Sequence, residues 1–292
     1  MKNFIIAITV LTVMSLLESC ERELMSYEGD PGIYFAVQSG RVEGNEKTWP
    51  YSPYTTVEFV KITGDTYTVN LKIMATGEVK EYDRPFRISL DLETTTGISG
   101  VDYETIPTEG IIPAGKLVTY FPIVLHRTVI MEADTVKIGL QLAANEHFKL
   151  TFPSWGAPTD LKDGTVYNDF DASKHVIRAM DILVQPAQWL GGFNQYETGN
   201  PEFNTFGAFT PKKFKLLSEL TGYVYTDFMT NPPMTAGLQA VLGRFLADYL
   251  IAEYKAGRAV TENDGRLMWA DGCPWKSYAG IPWNGEYVDY WQ

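Results

Sequence analysis

The chain of 292 residues has little of what catalytic centres and membrane spans are made from. Its 2 cysteines are Cys20 and Cys273, so an internal disulfide could join only the two extremities, and the chain is not built around such bridges. Its 3 histidines, His126, His147 and His175, are scattered, with no close ligand pair on one helix. They are expected at surfaces and strand edges, and no metal site follows from them. Positive charge is also short, with 24 lysines and arginines against 36 acidic residues and a net charge of -12. That balance argues against a nucleic-acid partner and against charge-driven adhesion to anionic lipid. After the first twenty residues no apolar run approaches the ~20 residues that span a bilayer. A glycine-rich phosphate loop of strand-loop-helix form is missing too, since Gly191 and Gly192 sit among aromatics. No cofactor is implied.

What remains is ordinary globular composition, 45% hydrophobic and 21% charged, in a chain long enough to bury a substantial core. The N-terminus has a positive start at Lys2, an apolar stretch over residues 4–17 and a small-residue processing site at Leu17-Glu18-Ser19-Cys20. Leu17-Glu18-Ser19-Cys20 resembles a bacterial lipobox, with Glu18 standing where a small or apolar residue is usual. The resemblance implies cleavage before Cys20 and lipidation of its thiol. Residues 1–19 are then a signal peptide and Cys20 is the membrane anchor, since stable anchoring takes more than one acyl chain. The alternative is a plain secretion signal. Residues 20–30 are short and polar, as suits a tether.

From residue 31 to 186 the chain reads as short strands. The stretch TYTVNLKIMATG sets Tyr67, Val69, Leu71 and Ile73 against Thr68, Asn70 and Lys72, and DTVKIGLQLA sets Val136, Ile138, Leu140 and Leu142 against Lys137, Gly139 and Gln141. Similar runs lie at GIYFAV, YTTVEFV, RPFRISLD, KLVTYFPIVL and VIRAMDILV. Gly64-Asp65 suggests a hairpin between the second and third runs, and Pro122 suggests an edge or bulge. Seven or eight such strands predict a mainly β fold, a β-sandwich. The segment SGVDYETIPTEGIIPAGKLVTYFPIVLHRT, through Gly100, Asp102, Tyr103 and Gly115, resembles Calx-beta domains. That implies an immunoglobulin-like sandwich, with calcium bound in some members only; Asp102, Glu104, Glu109 and Asp134 are acidic groups available for it.

Residues 187–292 change texture. Thr210-Pro211 opens a short helix that Gly222 ends, and a longer helix is expected over residues 235–256. Its apolar stripe is Leu238, Val241, Leu242, Phe245, Leu246, Tyr249 and Leu250. The tail is dense in aromatics. Trp269, Trp275, Trp283 and Tyr287 are candidate ligand-binding residues because rings beside carboxylates and amides suit sugar stacking, while the competing reading is that they lock an irregular tail in place. Cys273 reads as a partly buried free thiol.

Cys20, the YEGDPGIYF opening, the glycine-aromatic segment before Lys212-Lys213 and YLIAEYKAGRAVTENDGRLMW together resemble uncharacterised Bacteroidetes outer-membrane lipoproteins. The resemblance implies an exported, lipid-anchored protein, on either membrane face, often found with glycan-import machinery. It carries no enzymatic activity with it. The expected function is a non-catalytic accessory lipoprotein contacting a protein or glycan partner. The alternatives are a carbohydrate-binding lipoprotein and, further off, a carbohydrate-active enzyme with a carboxylate pair.

Overall fold

The computed structural model describes residues 29–41, 43–229 and 234–292. The signal segment, Cys20 and most of the tether lie outside the described residues. The period-two runs become strands because alternate side chains of a pleated backbone point to opposite faces. β1 (Gly32–Phe35), β3 (Thr66–Ala75), β6 (Val118–His126) and β8 (Lys149–Leu150) form one sheet in the order β6-β3-β1-β8. β2 (Tyr54–Glu58), β4 (Arg84–Leu90), β5 (Glu109–Ile112), β7 (Val136–Ala143) and β9 (Lys174–Met180) form a second, ordered β2-β9-β7-β4-β5. Inward residues of both, among them Leu71 and Ile73 of β3, Ile138 and Leu140 of β7 and Ile177 of β9, share one core.

The expected hairpin at Gly64-Asp65 does not form. β2 runs parallel to β9, from Tyr54 opposite Val176 to Glu58 opposite Met180, while β3 pairs with β1 and β6 in the other sheet. A 3-10 turn at Phe59–Lys61 separates them, and wholly buried Phe59 fixes that turn to the core. Pro122 does stand on an edge: it lies opposite Asn70 on β6, which among the described strands pairs with β3 alone. A missing N–H there costs no second ladder bond. The four-residue edge strand β5 was not anticipated by periodicity.

β3 runs the length of its sheet. Ala75 pairs with Ile33 at the end where β1 begins, and Thr66 pairs with His126 at the opposite end. There the loops after β2, β6 and β9 gather, and a helical region packs on them.

That region has its own core, built on Trp189, Phe206, Phe214, Phe228, Leu246 and Leu250. A two-stranded ladder, β10 (Gly192–Phe193) with β11 (Glu202–Phe203), precedes helix α1 (Pro211–Thr221). The Thr210 hydroxyl accepts from the Lys213 N–H at 3.0 Å, Pro211 occupies the first turn, and Gly222 at φ 76° ends the helix, as its sequence signals indicate. Helix α2 (Ala236–Lys255) starts with the Thr235 hydroxyl accepting from Leu238 N–H at 3.2 Å. Leu242, Leu246 and Leu250 are buried as expected, but Val241 and Phe245 are exposed. The buried face is rotated toward Gln239, Gly243 and Ala247. At Gly243 the chain comes so close to Thr205 that a Cβ would lie 2.5 Å from its methyl group. The whole is a mainly β fold with a smaller C-terminal helical region, and among the described residues no helix is long and apolar enough to cross a membrane.

Candidate functional site

The helical region is held by charges that no water reaches. Lys213, on the first turn of α1, is fully buried and donates to Glu202 Oε2 at 2.5 Å, to the Phe206 carbonyl at 3.0 Å and to the Ala208 carbonyl at 3.1 Å. All three ammonium protons are used. Glu202 Oε1 accepts from Arg266 Nη1 and from the Ser277 hydroxyl at 3.0 Å. Glu262 accepts from Thr210 at 2.6 Å and lies 3.5 Å from Lys213. Two buried cations and two buried carboxylates therefore cancel, which such burial requires. The network joins β11, α1 and the segment leading into the tail, so it fixes where the tail aromatics sit.

Those aromatics assemble around Tyr254, near the end of α2. Trp275 stacks on it at 4.8 Å, Tyr287 lies at 4.8 Å, Tyr290 at 5.9 Å, Trp283 at 6.2 Å and Trp291 at 6.3 Å. The Tyr254 hydroxyl accepts from Val288 N–H at 2.7 Å, and the Tyr287 hydroxyl accepts from Ala259 N–H at 3.1 Å. The cluster has two layers. Trp275 is only 4% exposed, donates from its indole to the Met268 carbonyl, and acts as packing. Trp283 is half-buried, edge-on to Tyr287, with its indole donating to Glu286 O. Tyr287, Tyr290 and Trp291 keep 48%, 37% and 44% exposure. Tyr287 and Trp291, with Asp289 and with Lys255, whose ammonium lies 4.1 Å from the centre of the Trp291 ring, line a shallow depression of about 270 Å³. The Trp291 N–H and then the Gln292 amide hold the Asp289 carboxyl below its ordinary range.

Of the four expected ligand residues, Trp275, Trp283 and Tyr287 are thus brought together, and Trp269 is not. Trp269 is half-buried beside Gly207 and packs against the same core, but makes no ring contact with Tyr254. The expectation named neither Tyr254 nor Lys255, although the i, i+4 step from Leu250 to Tyr254 is a signal that the helix carries its buried face into the tail.

Several other expected groups are committed to structure. Burial pushes the Cys273 thiol up to about 11. His175 is not at a surface or edge: it lies within β9, 1% exposed, its Nε2 2.9 Å from the Thr55 hydroxyl, because β9 is an inner strand with neighbours on both sides. Burial lowers its pKa to about 3. Asp102 is buried and its carboxylate accepts from Ile98 N–H at 2.8 Å and from the Thr128 hydroxyl at 2.7 Å, tying two loops together. Among the described residues no group of three or more histidine, cysteine or acidic side chains is placed to hold a metal ion. A second feature was missed entirely: Tyr34, Tyr51, Phe152, Trp155 and Phe170 cluster where the loop after β8 folds over β1.

Residues 27–162 match a family model described as a domain of unknown function, DUF4843. A crystal structure of a protein of unknown function from Bacteroides ovatus is similar at 18% identity and a TM-score of 0.32, covering 59% of this chain and 55% of that one. A second Bacteroides ovatus protein of unknown function is similar at 16% identity and a TM-score of 0.31, covering 52% of this chain and 46% of that one. The chain spans about half the length of these relatives. No curated protein matches it.

Proposed function

We propose that the protein is a non-catalytic accessory lipoprotein, fastened to the outer membrane through lipid on Cys20, that contacts saccharide with its C-terminal aromatic face in a glycan-import setting. The observation that carries the reading is the outer layer around Tyr254. Packing is supplied by Trp275 and Tyr254, yet Tyr287 and Trp291 stay partly exposed and line a depression with Lys255 and Asp289. Such rings offer apolar faces to sugar C–H groups while nearby polar groups take the hydroxyls. A non-catalytic role is supported by how the reactive side chains are spent, with Cys273 held protonated and Glu202 and Glu262 neutralised by buried cations.

For the β region we infer an immunoglobulin-like sandwich of the Calx-beta kind. The strand partition supports the name: β1, β3 and β6 share one sheet, β4, β7 and β9 the other, as first, second and fifth strands oppose third, sixth and seventh in that fold.

Two measurements test the reading. Titration with outer-membrane and dietary polysaccharides should give binding that falls at least tenfold in Trp291→Ala and Tyr287→Ala; binding unchanged in both variants sinks the saccharide face. Mass spectrometry of membrane-extracted protein should find a chain starting at an acylated Cys20, and a chain retaining residues 1–19 without lipid overturns the anchor.

A further inference from the structure

An asparagine followed by a glycine occurs once in the chain, at Asn284-Gly285, and it lies between two tail rings, Trp283 and Tyr287. Both residues are exposed. Gly285 stands at φ 85°, a conformation that glycine takes readily, and a Cβ added there would meet no atom within 4 Å. Among the described residues its backbone N–H makes no hydrogen bond. Solvent hydroxide therefore has open access to that nitrogen.

The Asn284 side chain is held across the turn by both of its polar atoms. Its Oδ1 accepts from the Glu286 N–H at 3.0 Å, and its Nδ2 donates to Glu286 Oε2 at 3.1 Å. The first contact polarises the amide carbon, and a fixed backbone donor strengthens as negative charge grows on the oxygen it faces. The other asparagines lack this combination. Asn194 is followed by Gln195 and Asn204 by Thr205, whose side chains crowd the nitrogen, and the Thr205 N–H is tied to Asn204 Oδ1 at 3.0 Å.

We propose that Asn284 is a self-modification site, at which the chain converts its own amide to a carboxylate. Hydroxide takes the Gly285 amide proton, and the nitrogen forms a bond to Asn284 Cγ. The Cγ–Nδ2 bond then breaks, and ammonia leaves with a proton from water, which returns hydroxide. Water opens the resulting five-membered imide at either carbonyl. Attack on the side-chain carbonyl gives aspartate, and attack on the main-chain carbonyl gives isoaspartate. One amide and one water become one carboxylate and one ammonium ion, with no change of oxidation state.

The turn also carries the consequence. The Trp283 indole donates to the Glu286 carbonyl at 3.0 Å, and the Trp283 and Tyr287 rings meet edge-on at 5.0 Å. Isoaspartate inserts one methylene into the main chain between those rings. Either product sets a carboxylate where Nδ2 had donated to Glu286, so a hydrogen bond becomes a repulsion between like charges. The reaction loosens the two rings from each other and adds negative charge to the tail. It depends on the turn alone and stands apart from the saccharide reading.

The test is incubation of the full-length protein in heavy-oxygen water at mildly alkaline pH and body temperature, followed by peptide mass spectrometry. The peptide holding Asn284 should lose ammonia and gain one heavy oxygen at least tenfold faster than any other asparagine. Isoaspartate should outweigh aspartate in the product, and backbone amide NMR of the aged protein should show shifts at Trp283 and Tyr287. Gly285→Ala should slow the reaction at least tenfold, and Asn284→Gln should keep its original charge on ion exchange. The folded chain should react at least as fast as the guanidinium-unfolded one. Loss at Asn284 no faster than at Asn194 or Asn204 overturns the proposal. So does aspartate without isoaspartate, an unchanged rate in Gly285→Ala, or slower loss in the folded chain.

Discussion

Lys213 Nζ and Glu202 Oε2 meet at 2.5 Å with both side chains at 0% exposure, and the pair ties the start of α1 to β11. Breaking a buried pair by removing one partner leaves an uncompensated charge. Lys213→Met should therefore destabilise the protein by about 3–5 kcal/mol in denaturant unfolding. The double variant Lys213→Met/Glu202→Gln restores neutrality and should be more stable than the single one; equal or lower stability would refute this account of the network.

The two layers around Tyr254 should separate in their effects. Trp275→Ala removes a buried ring and should cost about 3–5 kcal/mol. Trp291→Ala, at the exposed layer, should cost under about 1 kcal/mol while removing saccharide binding. Thermal melts of the two variants decide it, and equal destabilisation would mean the outer rings are packing as well.

His175 makes stability depend on acid. Its pKa is depressed by burial from 6.5 to about 3, so the folded chain binds fewer protons than the unfolded one across that window. Its contribution is whole above pH 6.5 and is lost as pH falls toward 3, with a slope approaching ~1.4 kcal/mol per pH unit. Urea midpoints measured between those limits should fall less steeply in His175→Gln. An identical slope in the variant would assign the acid sensitivity elsewhere.

Cys273, with its thiol raised to about 11, should react with iodoacetamide far more slowly than a free cysteine at mildly alkaline pH. Denaturant should abolish the protection. Fast labelling of the folded protein would contradict the burial that causes it.

Strands were legible because period-two runs such as the one from Val69 to Ile73 have one physical reading, and Pro122 announced its edge. Pairing was not legible: nothing local tells Glu58 that its neighbour is Met180 rather than the strand that follows it. On α2 the apolar residues span more than one face, and the true contact is set by the small Gly243 and Ala247, which hydrophobicity ranks low. The buried charges were hidden for a related reason. A lysine in KKFK reads as solvated surface until Glu202, 11 residues earlier, folds back to neutralise it. Tail aromatics stand out in the sequence by their density, but which ring packs and which faces outward depends on the end of α2.

β3 spans ten residues, from the end where β1 begins to the end where Arg127 and Asp181 face the helical region. At about 3.3 Å per residue that is a rigid rod of roughly 30 Å. Gly32 therefore lies at one tip of the rod, and the helical region packs at the other. The stand-off between Gly32 and the helical region is set by hydrogen-bonded strand, so a change ahead of Gly32 leaves it unaltered.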